Sequence, residues 1–93
     1  MGLTSKKKRG LRAEGNRLKP EVWIGKEGLT NGIVQTTANS LNTKELVKIK
    51  LLETCPVDKN EAAEKLAQQT GAEVVQVLGN TILLFRELPE ENK

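Results

Sequence analysis

Gly25-Lys26-Glu27-Gly28 is the stretch of this sequence whose residue types and spacing offer chemistry beyond packing. The two glycines bracket a charged pair, after the run Val22, Trp23, Ile24 and before an amphipathic run that opens at Thr30. A strand that ends there and feeds a helix leaves main-chain amides unpaired beside the positive end of the helix dipole, and glycine lets an anion come close. Lys26 places a positive charge at the loop tip. The chemistry is reception of an anion by N–H groups. No second glycine is followed by Lys and Ser or Thr at the spacing of a Walker loop, and the dinucleotide-binding fingerprint is missing too.

Catalysis and metal binding find little to work with. The chain has no histidine and no tyrosine, so the usual proton shuttles are missing, and its carboxylates are spread along helices and the tail. Cys55 is the only cysteine, which excludes an internal disulfide and, without histidine, the usual zinc sites. It precedes Pro56, with Glu53 and Asp58 near it in sequence, and their charges discourage a thiolate. The expectation is a non-enzymatic protein with no cofactor, metal or small-molecule substrate, in a reducing, cytoplasmic compartment. The longest uninterrupted apolar stretch, Ile82 to Phe85, is far short of the roughly 20 residues that span a bilayer. Neither a signal peptide nor a myristoylation motif is expected, since Lys6 stands where the latter wants Ser or Thr.

The net charge of +3 is unevenly distributed. Residues 1–26 carry eight basic side chains against Glu14 and Glu21, a net +6, whereas residues 27–93 carry seven basic and ten acidic ones, a net −3. A domain polarised in this way turns a positive face to an anionic partner, most commonly nucleic acid. The candidate contacts are Lys6, Lys8, Arg9 and Arg12 on a first helix, Arg17 and Lys19 after it, Gly25, Lys26, Glu27 and Gly28 in the loop, and Lys48 and Lys50 on a strand. For Lys48 and Lys50 a purely structural role stands even with a binding role, because any half-exposed strand needs polar residues on its outer face.

The elements that position these residues follow from caps and periodicity. Thr4 caps a helix that Gly15 ends, with Leu3 and Leu11 on one side and Lys6, Lys8, Arg9 and Arg12 on the other. Val22 to Ile24 is a short strand; Trp23 points opposite to its neighbours and is expected to pack under the Leu3 and Leu11 stripe in preference to stacking on a base. Thr30 caps a second helix with Ile33, Val34, Ala38 and Leu41 inward and Asn31, Gln35 and Asn39 outward. In "ELVKIKLL", Val47, Ile49 and Leu51 alternate with Lys48 and Lys50 as in a strand buried on one face. Asp58 and Glu61 have capping-box spacing for a third helix with Ala62, Ala63, Leu66 and Ala67 buried, stopped at Gly71, and Gly79-Asn80 joins two last strands as a hairpin. The order α-β-α-β-α-β-β predicts an α/β domain with a four-stranded mixed sheet, in which each β-α-β step is parallel and the last strand antiparallel. At 93 residues the chain is long enough for a single domain, with a core over about residues 3–86 and an acidic tail over 87–93.

The loop, within "IGKEGLTNGI", resembles the GxxG loop by which KH domains clamp a nucleic-acid backbone. More specifically, "LKPEVWIGKEGLT", "KELVKIKLL" and "AEKLAQQTGAEVVQVLGNTILLFR" are similar in order and spacing to the CRM domain, the chloroplast RNA splicing and ribosome maturation module. The resemblance implies an RNA-binding domain folded like the C-terminal domain of bacterial translation initiation factor three. Its stand-alone bacterial members are associated with precursors of the large ribosomal subunit, which implies ribosomal RNA as the partner and Gly25 to Gly28 as the family loop. Many members carry histidine before "EL" where this chain has Lys44. The reading is therefore a monomeric RNA-binding protein of large-subunit assembly; the alternative is a protein-interaction adaptor whose basic helix docks on an acidic partner.

Overall fold

The computed structural model describes residues 4–87; Leu3 and the tail beyond Glu87 lie outside the described residues. The elements are α1 (Ser5–Gly15), β1 (Val22–Ile24), α2 (Asn31–Thr43), β2 (Leu46–Leu51), α3 (Lys59–Thr70), β3 (Glu73–Leu78) and β4 (Thr81–Phe85). All three N-caps are the residues that the sequence marks. Thr4 and Thr30 accept from the N–H groups of Lys7 and Ile33, and Asp58 accepts from those of Asn60 and Glu61. Gly71 closes α3 in the left-handed conformation.

The four strands form one mixed sheet in the order β1-β2-β4-β3. β1 runs parallel to β2, and β4 lies antiparallel between β2 and β3. The hairpin partner is thus central, a position that its composition explains. Ile82 through Phe85 are buried on both faces, and such a strand belongs in the middle of a sheet.

Each face has its own core. Beneath α2 and α3 lie Val22, Ile24, Val47, Ile49, Leu51, Ile82 and Leu84, packed with Leu41, Ala62, Ala63 and Leu66. Thr37 is also fully buried there, where a purely apolar stripe was expected; its hydroxyl donates to Ile33 O at 2.8 Å, which satisfies the buried oxygen within its own helix. On the opposite face α1 lays Leu11 onto Leu46, Val75, Leu83 and Phe85, with Leu18 at the margin. Arg86, just past β4, donates to Thr70 O at 2.7 Å and to Asn42 Oδ1, joining the ends of α3 and α2.

Gly15 does not end α1 in the way expected of it. It is helical and buried, the cap falls on Asn16 in the right-handed region, and a Cβ on Gly15 would lie 2.4 Å from Leu83 Cδ1. The residue is glycine because the helix backbone touches the sheet there. Gly10, on the same helix, has nothing within 4 Å of its would-be Cβ. Alanine relieves the helix of about 1 kcal/mol of glycine penalty at either position, but overpacking the core costs about 1–3 kcal/mol at Gly15 alone. Gly10→Ala is therefore expected to raise, and Gly15→Ala to lower, the midpoint of urea unfolding.

Candidate nucleic-acid interface

The loop forms as a tight turn. The Gly28 N–H donates to Gly25 O at 3.0 Å, Gly28 adopts φ +70°, and the Thr30 N–H returns to Gly28 O at 3.1 Å. Gly28 is buried, and a Cβ there would lie 3.2 Å from Val57 Cγ2, so the turn is braced by the segment between β2 and α3. This narrows the set of available donors. The Gly28 amide belongs to the turn, whereas those of Lys26 and Glu27 have no acceptor among the described residues and sit at an exposed tip. Two further amides, of Asn31 and Gly32, are likewise without acceptors at the start of α2, because the Thr30 cap takes only the Ile33 N–H. Four N–H donors and the Lys26 ammonium thus share one end of the domain.

The remaining predicted residues fall into separate groups. Arg17 and Lys19 are exposed but precede β1, so the near-extended chain puts up to about 20 Å between Lys19 and Gly25. On α1, Lys6 and Arg9 are exposed, while Lys8 and Arg12 are half-buried beside Leu11. The basic side of the helix is split by its rotation onto the sheet. Lys7 instead lies over the Phe85 ring, its Nζ 5.4 Å from the centroid, a cation–π contact. The two strand lysines also part company. Lys50 is exposed, but the Lys48 ammonium donates to Gly15 O at 3.3 Å and to Leu18 O at 3.1 Å, fastening the end of α1 to β2.

Trp23 corrects the expectation drawn from burial habits. It is 51% exposed, because α1 lands on the β2, β4 and β3 part of the sheet and leaves edge strand β1 uncovered on that face. Asn31, Gln35 and Asn39 are exposed as expected, with Gln35 Nε2 donating to Asn39 Oδ1 at 3.0 Å. Behind the loop, a hollow of about 450 Å³ is bordered by Glu53 and Asp58, carboxylates that bound the positive surface on that side. Among the described residues, no group of three or more Cys, Asp and Glu is arranged to hold a metal, and no helix is long and apolar enough to cross a membrane.

The family model of the CRS1/YhbY (CRM) domain matches residues 3–86. The chain belongs to the CRM domain family. It is 40% identical over 91 residues to a Bacillus subtilis protein named as a probable RNA-binding protein, YqeI, covering 98% of this chain and 94% of that one. A Methanocaldococcus jannaschii protein, also named as a probable RNA-binding protein, is 44% identical over 86 residues, which cover 90% of this chain and 63% of that longer one. The solution structure of a Staphylococcus aureus protein, 37% identical, superposes with a TM-score of 0.82 over 96% of this chain and 93% of that one. In this CRM domain Lys44 forms an ion pair with Glu21 at 3.1 Å, a clasp between the beginnings of β2 and β1.

The different duties of the strand lysines can be measured. Lys48→Met leaves the Gly15 and Leu18 carbonyls without their charged donor and is expected to lower unfolding free energy by about 1–2 kcal/mol. Lys50→Met, on the open surface, is expected to change it by less than about 0.5 kcal/mol in the same denaturant titration.

Proposed function

We propose that this CRM domain binds RNA through the Gly25 to Gly28 turn, and that its natural target is ribosomal RNA during assembly of the large subunit. The observation that carries the reading is the cluster at the turn. The amides of Lys26 and Glu27 and those of Asn31 and Gly32 have no acceptors among the described residues, and the exposed side chain of Lys26 belongs to the same turn, a combination suited to a phosphodiester. The relatives named as RNA-binding proteins support the same partner. Ribosomal RNA is the target that the resemblance to stand-alone bacterial members implies, and a monomer is the form proposed to bind it. Lys50, Arg17, Lys19, Lys6 and Arg9 extend the positive surface, whereas Lys48 acts through the fold by holding α1 in place. Such contacts position the RNA more than they select its sequence.

Binding by phosphate contacts makes log K fall linearly with log salt, by about 0.7 per neutralised phosphate for single strands. Lys26→Glu is expected to weaken RNA binding about tenfold, roughly 1.4 kcal/mol, and to flatten that slope. Lys65→Glu, on α3, is expected to have a smaller effect, with both variants folded by circular dichroism. Equal losses would assign the effect to overall charge, and weak binding indifferent to the loop would favour an adaptor for acidic proteins. Crosslinking in cells followed by sequencing of the bound RNA tests the ribosomal target.

Glu27 gives a test of opposite sign. Its amide is a donor but its exposed side chain adds a negative charge to the same turn, so Glu27→Gln is expected to tighten binding about two- to threefold at low salt and to lose that advantage as salt screens it.

A further inference from the structure

The α1 face of the sheet is covered over only part of its length. Leu11 and Gly15 cover Leu46, Val75, Leu83 and Phe85, but the next row toward the GxxG turn carries no helix. That row crosses all four strands: Trp23 is in register with Lys50, Lys50 with Thr81, and Thr81 with Leu78. Trp23 is 51% and Leu78 64% exposed, and Lys50 is exposed between them. At the usual strand spacing the row is about 14 Å long. One end of it is two residues from Gly25, and a hollow of about 90 Å³ bordered by Asn16 and Gln76 separates it from the end of α1.

We infer that this row receives an unpaired segment of RNA, with a base stacked on the Trp23 indole and the adjoining phosphate at Lys50; the inference rests on the RNA-binding reading above. Three observations select this occupant. The only charged side chain in the row is cationic, and the exposed basic groups Lys26 and Lys19 lie at either end of β1, so the local charge complements a polyanion. The apolar groups of the row are interrupted: Trp23 and Leu78 are separated by Lys50 and Thr81, and the other exposed large apolar side chain, Leu52, lies past the end of β2 beside Gly25, so the row lacks the broad continuous apolar patch that marks many protein interfaces. An indole half open to solvent suits a base, since stacking accepts any base and needs no hydrogen-bond match. A strand leaving the turn along this row passes toward Asn16 and α1, so the row joins two parts of the basic surface that are otherwise separate. A duplex keeps its bases inside and gains nothing from the indole.

Trp23 is the only tryptophan in the chain, so its emission reports this site alone. The folded protein is titrated with single-stranded oligouridylate and with an RNA duplex of equal length, binding being followed separately by anisotropy of labelled RNA. Oligouridylate is expected to quench the emission with the midpoint of binding, and the duplex to bind without quenching. Trp23→Ala is expected to weaken single-strand binding about 5- to 100-fold, leaving duplex binding unchanged, and Trp23→Phe to restore most of the loss. Lys50→Met is expected to reduce the single-strand salt slope by about 0.7. If the alanine variant fails by circular dichroism, Trp23→Leu, apolar but without a ring, takes its place against the phenylalanine variant. Unquenched emission at saturation, or single-strand affinity equal to the parent's in the ringless variant, overturns the inference while sensitivity to Lys26→Glu keeps the loop reading standing. Absence of RNA binding overturns both. Self-association abolished at Trp23 assigns the row to a second copy of the chain, and overturns the inference as well.

Discussion

The burial of β4 on both faces is the constraint on which the molecule depends. Ile82 and Leu84 point into the core under α2 and α3, while Leu83 and Phe85 point into the smaller core under α1, each side chain contributing about 1.5–3 kcal/mol by leaving water. A strand with two apolar faces needs cover on both, and the domain supplies it unequally: two helices on one side, a single short one on the other. The α2 and α3 side is closed. The α1 side is closed only where Gly15 lets the helix rest on Leu83 and Lys48 ties its end down. What remains open is the end of that face nearest the turn.

This inequality arranges the charge. The helix that carries much of the basic sequence is anchored toward the Phe85 and Leu46 end, whereas the acceptor-free amides gather at the opposite end, past Ile24. The positive groups therefore lie in two parts, one on α1 and one at the turn. Lys8 and Arg12 are half-buried on the same helix as Leu11, in keeping with the habit of long cationic side chains to cover apolar surface with their stems. Lys48 goes further and uses its charge on main-chain carbonyls, so basic residues hold the fold together as well as facing outward.

Much of this was legible in the sequence because the relevant forces act locally. Thr4, Thr30 and Asp58 cap helices with groups two or three residues away, Gly71 stops one, and Gly79-Asn80 turns a hairpin, so the elements and the position of the GxxG turn follow from neighbours in the chain. Contacts across the fold were not legible. Lys48 finds its acceptors more than thirty positions earlier on average, at Gly15 and Leu18, and alternation along β2 gives only the face, not the partner. Trp23 failed for a related reason. Strand parity places it opposite Val22 and Ile24, but only the landing site of α1 decides whether that side is covered. Thr37 is buried although it is polar, because its own helix answers the hydroxyl. The unbroken apolar run of Ile82 to Phe85 suits an inner strand, but strand order was not read from it, and β2 is equally internal although it alternates with Lys48 and Lys50.

Arg86 gives the last strand a second duty. Its guanidinium meets Thr70 O and the Asn42 amide oxygen, so a residue at the margin of the sheet spans the ends of two helices that have no direct covalent link there. The final turns of α2 and α3 are thereby latched from outside. A chain shortened to residue 85 would keep the residues of every strand and of both hydrophobic cores yet lose this latch and the Arg86 N–H bond to Glu45 O, with fraying expected first at Asn42, Thr70 and the start of β2, far from the turn.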